Sequence, residues 1–303
     1  MKDEISFDRS VIEPTGQAHR VSPLVRRLVA PNGGPFTFTG TCTYLVGQGD
    51  LAVLDPGPDL DGHFAALVAA IGQARVAAIV VTHTHKDHSP LARRLKALTG
   101  APIIGCGPHE AARALGEGEM NVLDASADHE HSPDRWMLDG DVFEGQGFTL
   151  QAVATPGHTM NHLAFALAQE SALFSGDHVM AWSTTIVAPP DGAMGAYMSS
   201  LERLMARDET IYWPGHGGPV KEPKRFVRGL LSHRRMRETT ILERVQAGDR
   251  KIISLVERLY VGLEPKLKGA AALSVFAHLE ELVARGAVRT DGDARLDGEY
   301  WAG

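Results

Sequence analysis

The sequence predicts an α+β fold in which strands and helices alternate over most of the chain, followed by a smaller helical segment. Up to about residue 222, short apolar or alternating runs typical of strands are separated by amphipathic stretches and by Gly, Pro and Asp turn residues. After Pro223 the composition changes to long charged stretches with helical character. We therefore expect two domains, residues 1–222 and 223–303, in this 303-residue chain.

Composition narrows the class of protein. Hydrophobic residues make up 44% and charged residues 22% of the chain, as in ordinary globular proteins. No apolar run reaches the roughly 20 residues that a membrane-spanning helix needs, and the charged N-terminus, MKDEISFDRS, lacks the apolar core of a secretory signal. We therefore expect a cytoplasmic protein with no membrane partner. The apolar surroundings of its two cysteines, Cys42 and Cys106, predict buried side chains rather than a disulfide framework.

The net charge of −7 is unevenly distributed along the chain. Residues 223–303 contain 15 Lys and Arg against 11 Asp and Glu, a charge of +4, which leaves −11 on residues 1–222. A basic C-terminal segment on an acidic body is compatible with contact to a polyanion. A solvated helical surface has the same composition, so charge alone does not choose between the two.

The first half of the chain contains strand patterns and helix patterns in turn. Residues 36–46 (FTFTGTCTYLV) alternate and are followed by the turn residues 47–50 (GQGD), which predicts a hairpin with residues 51–54. Further on we expect helices at 62–72, 91–98 and 108–115, strands at 77–81 and 102–105, and a polar loop at 116–135.

The second half repeats this alternation and then becomes helical. Strands are predicted within 136–154, on both sides of the turn 144–147 (EGQG), and at 162–167, 172–175 and 210–213, with a helix at 196–207. The C-terminal segment predicts helices at 226–247, 251–260 and 270–285. Its turn residues Asp291-Gly292 predict a short terminal hairpin between β segments on either side.

A dense group of potential metal ligands follows the buried strand predicted at 77–81. His83, His85, Asp87 and His88 lie within six residues. Since His83 and His85 are two apart, an extended segment directs both imidazoles to the same side. The next residues, Ser-Pro, suit the start of a helix, so the other two ligands lie at a strand-to-helix junction. Imidazole and carboxylate are ligands that zinc prefers, and the segment therefore predicts a metal site.

His83-x-His85-x-Asp87-His88 resembles the HxHxDH motif of the metallo-β-lactamase superfamily. Three further segments are similar to superfamily motifs and occur in the expected order: Thr155-Pro156-Gly157-His158-Thr159, Phe174-Ser175-Gly176-Asp177 and Pro214-Gly215-His216-Gly217. The resemblance implies a four-layer αββα sandwich with two metal ions in a cleft at the edges of its sheets. It implies one metal on His83, His85 and His158, a second on Asp87, His88 and His216, and Asp177 bridging both.

The implied chemistry is hydrolysis by a metal-bridging hydroxide. Two divalent ions about 3.5–4 Å apart can share a water and lower its pKa towards neutrality. We therefore expect Asp87 and Asp177, as ligands of these ions, to be catalytic residues as well. The ligand types favour Zn²⁺, with Mn²⁺ or iron as alternatives.

A second tier of candidates surrounds the ligands. The resemblance places Asp55 where it orients a ligand histidine. His162, Tyr197 and Ser200 are candidates for contact with substrate or for support of a ligand, and ordinary packing is the alternative for each.

The motifs together resemble the β-lactamase-like protein 2 family. The three C-terminal helices and hairpin resemble a winged helix, and the 38 residues between Asp177 and His216 leave no room for the inserted domain of the β-CASP nucleases. The resemblance implies an endoribonuclease, a phosphodiesterase on single-stranded RNA. A thioester or ester hydrolase of the hydroxyacylglutathione or acyl-carrier type is the alternative, and a nucleic-acid-binding module is a third. The winged helix is also compatible with a homodimer contact or a cap over the cleft.

Overall fold

Two β-sheets pack face to face, and helices cover the outer face of each. The structure is a computed structural model that describes residues 5–116, 118–121 and 124–303. Within these ranges no helix combines the length and the apolar character needed to cross a bilayer.

The first sheet has seven strands in sequence order. Its first four strands pair antiparallel and the later strands pair parallel, which requires crossover connections. The strands are β1 (Ala18–Arg20), β2 (Val25–Val29), β3 (Cys42–Val46), β4 (Leu51–Leu54), β5 (Val76–Val81), β6 (Ile103–Gly105) and β7 (Arg135–Trp136), and the crossovers after β4 and β5 contain α1 (Asp61–Ile71) and α2 (Leu91–Thr99).

The second sheet has five strands in the order β12-β11-β10-β9-β8. They are β8 (Val142–Gly145), β9 (Phe148–Ala154), β10 (Leu163–Leu167), β11 (Ala172–Gly176) and β12 (Ile211–Pro214), and α3 (Met194–Met205) makes the parallel crossover from β11 to β12.

Strand β10 shows how the layers are built, because it is apolar on both faces. Leu163, Phe165 and Leu167 point into the core between the sheets, where the Tyr44 and Phe174 rings also meet with centroids 5.0 Å apart. The intervening alanines pack on the other side, under the helices of the second sheet. Alternate residues of a strand face opposite sides, so a strand buried between two layers needs apolar residues throughout. The predicted αββα sandwich is confirmed.

The C-terminal segment consists of α4 (Pro223–Gln246), α5 (Ile252–Leu259), α6 (Lys268–Ala284) and the ribbon of β13 (Val288–Thr290) and β14 (Tyr300–Ala302). Helix α4 belongs to two cores. Its residues Val227 and Leu230 pack on the second sheet's helical layer, whereas Ile241 and Val245 pack among α5 and α6. The domain boundary at residue 222 remains our proposal, since this helix joins both units.

Three predicted elements differ in the structure. The strand predicted from residue 36 begins only at Cys42, because the chain forms a turn in which Gly34 pairs with Phe38. Residues 108–115 form no helix. An isolated helix of this length is marginal, and Arg113 instead forms ion pairs with Glu119 and Glu280. The second strand of the terminal hairpin begins only at Tyr300, whose hydroxyl donates to the Arg295 carbonyl at 2.6 Å and so closes a longer loop. In the predicted polar loop 116–135, residues 117, 122 and 123 lie outside the described ranges.

Candidate metal centre

The predicted ligands lie where the two sheets meet. Strand β5 ends just before His83, β11 just before Asp177 and β12 just before His216. Backbone hydrogen bonds join the sheets at this edge: the Leu163 amide donates to the Thr82 carbonyl at 2.8 Å, and the Cys42 amide donates to the Gly215 carbonyl at 2.7 Å. Strand ends from both halves of the chain are thereby held together.

Three histidines and one aspartate form the first group. The candidate ligand atoms of His83, His85, His158 and Asp177 all lie within 4.8 Å of one another. The His85 Nδ1 atom is 3.1 Å from the His83 Nε2 atom and 3.0 Å from the His158 Nε2 atom. The Asp177 carboxylate approaches His158 Nε2 to 3.7 Å. Three imidazole nitrogens therefore converge on one point beside a carboxylate.

Asp87, His88 and His216 form the second group, also within 4.8 Å. The Asp87 Oδ2 atom lies 3.3 Å from His88 Nε2 and 3.2 Å from His216 Nε2. The Asp177 carboxylate is 3.5 Å from His88 Nε2 and 3.3 Å from His216 Nε2. Asp177 thus faces both groups, in the position that a bridging ligand requires.

The arrangement fits divalent metal ions. Four ligands about 2.0–2.1 Å from a tetrahedral zinc lie about 3.3–3.4 Å from one another, close to the spacings in both groups. Among the described residues, the buried His88 Nε2 and Asp177 Oδ1 atoms have no hydrogen-bond partner. A buried polar atom without a partner is costly, and a cation between the two groups would remove that cost.

The two groups differ in their electrostatics. Burial, reinforced by the neighbouring His158, lowers the pKa of His85 to about 3, so its imidazole is neutral and its lone pair is free. Burial alone would lower the pKa of His216 as well, but Asp177 and Asp87 raise it to about 9. Asp87 and Asp177 therefore outweigh burial in setting the pKa of His216, whereas burial dominates the pKa of His85.

Asp55 lies behind the second group and is fully buried. Its carboxylate accepts hydrogen bonds from the Thr82 amide at 2.8 Å and the Thr82 hydroxyl at 2.7 Å, and it is 3.0 Å from His88 Nδ1. A proton on Nδ1 leaves the Nε2 lone pair directed at the metal position. This is the contact that the predicted orienting role requires.

His162 supports Asp177 and does not line the cleft that opens above the two ligand groups. The Nε2 atom of this buried residue accepts a hydrogen bond from the Asp177 backbone amide at 3.2 Å, and its Nδ1 atom is 2.8 Å from the Thr155 hydroxyl.

We expect His162→Phe to weaken metal binding about 10- to 100-fold, because it leaves the Asp177 amide unpaired and such supporting contacts have effects of this size. Chelator competition measures the affinity. His129→Ala, which removes a half-exposed histidine hydrogen-bonded to Asp124, is the control. Wild-type affinity in His162→Phe would show that the contact does not matter.

Tyr197 and Ser200 also support loops. The Tyr197 hydroxyl donates to the His178 carbonyl at 3.1 Å, and the Ser200 hydroxyl donates to the Pro156 carbonyl at 2.8 Å. Both side chains are buried and neither lines the cleft above the ligands. Their observed contacts are with the loops that carry Asp177 and His158.

Gly157 is tightly enclosed beside this contact. Its φ is +140°, and a Cβ atom there would lie 2.3 Å from the Tyr197 Cα atom. We expect Gly157→Ala to lower the melting temperature sharply and to displace His158, with loss of metal. Gly147→Ala is the matched control, because that glycine also has a positive φ (+80°) but open space around it. Equal melting temperatures for the two variants would contradict the steric argument.

A cleft of about 600 Å³ opens above both groups. Its non-ligand walls are mainly apolar, and α6 of the C-terminal segment contributes one of them. These apolar lining residues are Phe36, Met180, Ile186, Ala270 and Leu273, and two lysines, Lys86 and Lys266, also line the cleft. The sequence left open a cap over the cleft by the C-terminal segment but did not identify these residues, because the pattern of α6 does not distinguish a residue facing a cleft from one facing a core.

Sequence comparison identifies two known domains in the chain. The profile described as the metallo-β-lactamase superfamily matches residues 36–216, and that of the β-lactamase-associated winged helix domain matches residues 252–301. The winged helix predicted at the C-terminus is thereby confirmed.

Individual relatives agree with these matches. An atrochrysone carboxyl ACP thioesterase from Paecilomyces divaricatus is 29% identical over 84% of this chain and 75% of its own length. A β-lactamase-like protein 2 homolog from Caenorhabditis elegans is 31% identical over 74% of this chain and 72% of its own. The crystal structure of a metallo-β-lactamase family protein from Thermus thermophilus superposes with a TM-score of 0.76 at 24% identity, covering 94% of this chain and 100% of the other.

Proposed function

Because this chain belongs to the metallo-β-lactamase superfamily of hydrolases, we propose that it is a dinuclear-metal enzyme that hydrolyses thioesters or esters of apolar acyl groups. The observation that carries this proposal is the largely apolar cleft directly above the two ligand groups. Ligand pockets with apolar walls and a few convergent polar groups suit substrates of that character.

Seven side chains would hold the metals. In the proposed site, His83, His85 and His158 would hold one ion and Asp87, His88 and His216 the other, and Asp177, which faces both groups, would serve both. Such a pair, when bound, supplies an activated water and polarises the carbonyl under attack. The imidazole and carboxylate ligands favour Zn²⁺, with Mn²⁺ or iron as alternatives.

No cysteine is suited to act as the nucleophile. Burial raises the pKa of the Cys42 thiol, and it raises the pKa of the Cys106 thiol well above its usual value. Both side chains are buried and neither lines the cleft. A thiolate is the reactive form of cysteine, so the role of nucleophile is better assigned to a water that the metals would activate.

The side chains that line the cleft favour a substrate with an acyl chain. Phe36, Met180 and Leu273 offer an apolar surface for an acyl chain. Lys86 brings positive charge to the same cleft, as does Lys266, although Lys266 is paired with Glu264. The charge is compatible with an anionic carrier arm. The relative named as an ACP thioesterase acts on a substrate of this class.

Single-stranded RNA is the second candidate. It is favoured by the two lysines of the cleft and by the relative named β-lactamase-like protein 2 homolog. The resemblance of this sequence to that family implies RNA cleavage. Sites for single strands normally combine a basic groove with aromatic stacking surfaces, whereas the body of this chain is acidic. Binding through the winged helix is a weaker third candidate, because its terminal loop carries Asp291, Asp293 and Asp297 beside Arg295.

Turnover by zinc-loaded protein of known metal content tests the proposal. Acetyl and octanoyl thioesters of N-acetylcysteamine are compared with a labelled single-stranded RNA, and Asp177→Asn is the inactive control. We expect the octanoyl thioester to have the highest kcat/KM and the RNA to stay intact. Cleavage of RNA alone would replace the proposal with the nuclease, and equal turnover of both thioesters would remove the role of the apolar walls.

A charge placed on the α6 wall gives a sharper test. Ala270→Glu puts a carboxylate beside the acyl chain, and we expect KM for the octanoyl thioester to rise about tenfold or more, since an apolar surface next to a charge is unfavourable. The acetyl thioester should be much less affected. Ile253→Glu, which adds the same charge at a half-exposed position on α5, is the control. A parallel change for both substrates would show that α6 does not contact the acyl group.

A further inference from the structure

One buried cation in the C-terminal segment forms no ion pair with any of the described carboxylates. Arg234 of α4 is only 3% exposed, and among residues 5–116, 118–121 and 124–303 no carboxylate oxygen lies within 4 Å of its side-chain nitrogens. It donates to the backbone carbonyl of Thr185 and to the Ser274 hydroxyl at 3.3 Å, and it lies 5.3 Å from the centre of the Tyr197 ring. Burying a charge without a counter-ion is expensive.

The carbonyl that Arg234 holds belongs to the loop after the candidate bridging ligand. The Thr185 hydroxyl donates to the backbone carbonyl of Asp177 at 2.7 Å and approaches that of His178 to 3.0 Å. The next residue, Ile186, places its carbonyl oxygen 2.6 Å from His158 Nδ1. Two consecutive loop residues therefore support two proposed metal ligands.

We propose that Arg234 is a positioning residue of the metal centre, acting through Thr185 and Ile186 on Asp177 and His158. The inference rests on the proposed function, since it assumes that these two residues bind metal. It also gives the C-terminal segment a role besides covering the cleft: α4 fixes the loop that orients the ligands.

Arg237 is another arginine of α4, and its observed contacts do not involve the loop after Asp177. It lies three residues further along the helix, donates to the Leu259 carbonyl at 3.3 Å and stacks over the Tyr260 ring at 4.3 Å. Both partners lie within the C-terminal segment. Arg237→Met is therefore a matched control, because it removes a guanidinium from the same helix and leaves the loop contacts in place.

The test measures zinc affinity by competition with a chromogenic chelator and records the visible absorption of the Co²⁺-substituted protein. We expect Arg234→Met to weaken metal binding about 10- to 100-fold, the usual effect of removing a supporting contact, and to alter the cobalt spectrum. Arg234→Lys should recover part of the affinity, and Arg237→Met should match the wild type. An Arg234→Met protein with wild-type affinity and spectrum would overturn the inference.

Thr185→Val provides a second route if Arg234→Met does not fold. It keeps the side-chain shape but removes the hydroxyl that holds the Asp177 carbonyl, so we expect a similar loss of affinity. When both single variants fold, the double variant should bind metal only slightly more weakly than the single variant with the lower affinity. We expect this because the two residues act in series on the same ligand. Unchanged affinity in Thr185→Val, or fully additive losses, would overturn the inference. If the wild-type protein binds no metal, the proposed function itself fails.

Discussion

Replacing Asp177 with asparagine is expected to lower kcat by roughly a thousandfold or more, the scale seen when a preorganised electrostatic group is lost, and to deplete the protein of metal. The Asp177 carboxylate lies 3.3 Å from His216 Nε2 and 3.7 Å from His158 Nε2, so it is the side chain that faces both ligand groups. An amide has no charge and offers only one oxygen to replace the two.

Elemental analysis after dialysis, together with steady-state kinetics, checks this prediction. Asp128→Asn is the matched control, because Asp128 is also a buried carboxylate but forms its ion pair with Arg93, outside both ligand groups. We expect that control to keep its metal, although the lost ion pair will lower its stability. An Asp177→Asn protein with full activity and full metal content would show that the assignment of the site is wrong.

Asp55→Asn is expected to weaken the second metal position about 100-fold, at the upper end of effects from residues that orient a ligand. The Asp55 carboxylate accepts two hydrogen bonds from Thr82 and lies 3.0 Å from His88 Nδ1. An amide group in the same place must direct its NH₂ to one of the two sides, and we expect it on the side of the Thr82 hydroxyl and His88, because the hydroxyl can accept a hydrogen bond whereas the Thr82 backbone amide cannot. The His88 ring then loses the partner that directs its Nε2 atom towards the metal.

Metal titration with calorimetry distinguishes the two positions. In Asp55→Asn we expect one equivalent to bind about as tightly as in the wild type and the second to bind weakly, with a corresponding loss of turnover. Asp50→Asn, which removes a carboxylate near the surface that pairs with Arg75, should retain two tight equivalents. Two tight equivalents in Asp55→Asn would mean that His88 needs no orienting partner.

The ligand groups were predictable because short segments carry them. His83 and His85 are two apart at the end of a strand, and Asp177 and His216 each follow a strand directly, so local geometry directs these side chains to one edge. The structure brings all seven predicted ligands into two adjoining groups. Spacing and the preceding strand pointed to His83, His85, Asp87 and His88, whereas His158, Asp177 and His216 were implied by the resemblance of their segments to superfamily motifs.

Other features depended on contacts between distant segments. The amphipathic pattern at 108–115 predicted a helix, but long-range ion pairs of Arg113 replace it with irregular structure. Tyr197 and Ser200 satisfied the spacing of a helical face, yet only the packing of α3 shows that this face is buried against the ligand loops.

The sequence by itself predicted the order of strands and helices, the change to helices after Pro223 and the ligand-rich segment 83–88, because periodicity and spacing are properties of neighbouring residues. The αββα arrangement, the winged helix and the remaining ligands came from the resemblance of short motifs to known families. The tertiary structure decided what surrounds the ligands. It placed Leu273 of α6 in the wall of the cleft and buried Arg234 of α4 against the loop after Asp177. The residues next to Leu273 and Arg234 in sequence do not set these two positions apart from others on the same helices. Their roles depend on contacts with residues tens of positions away in the chain.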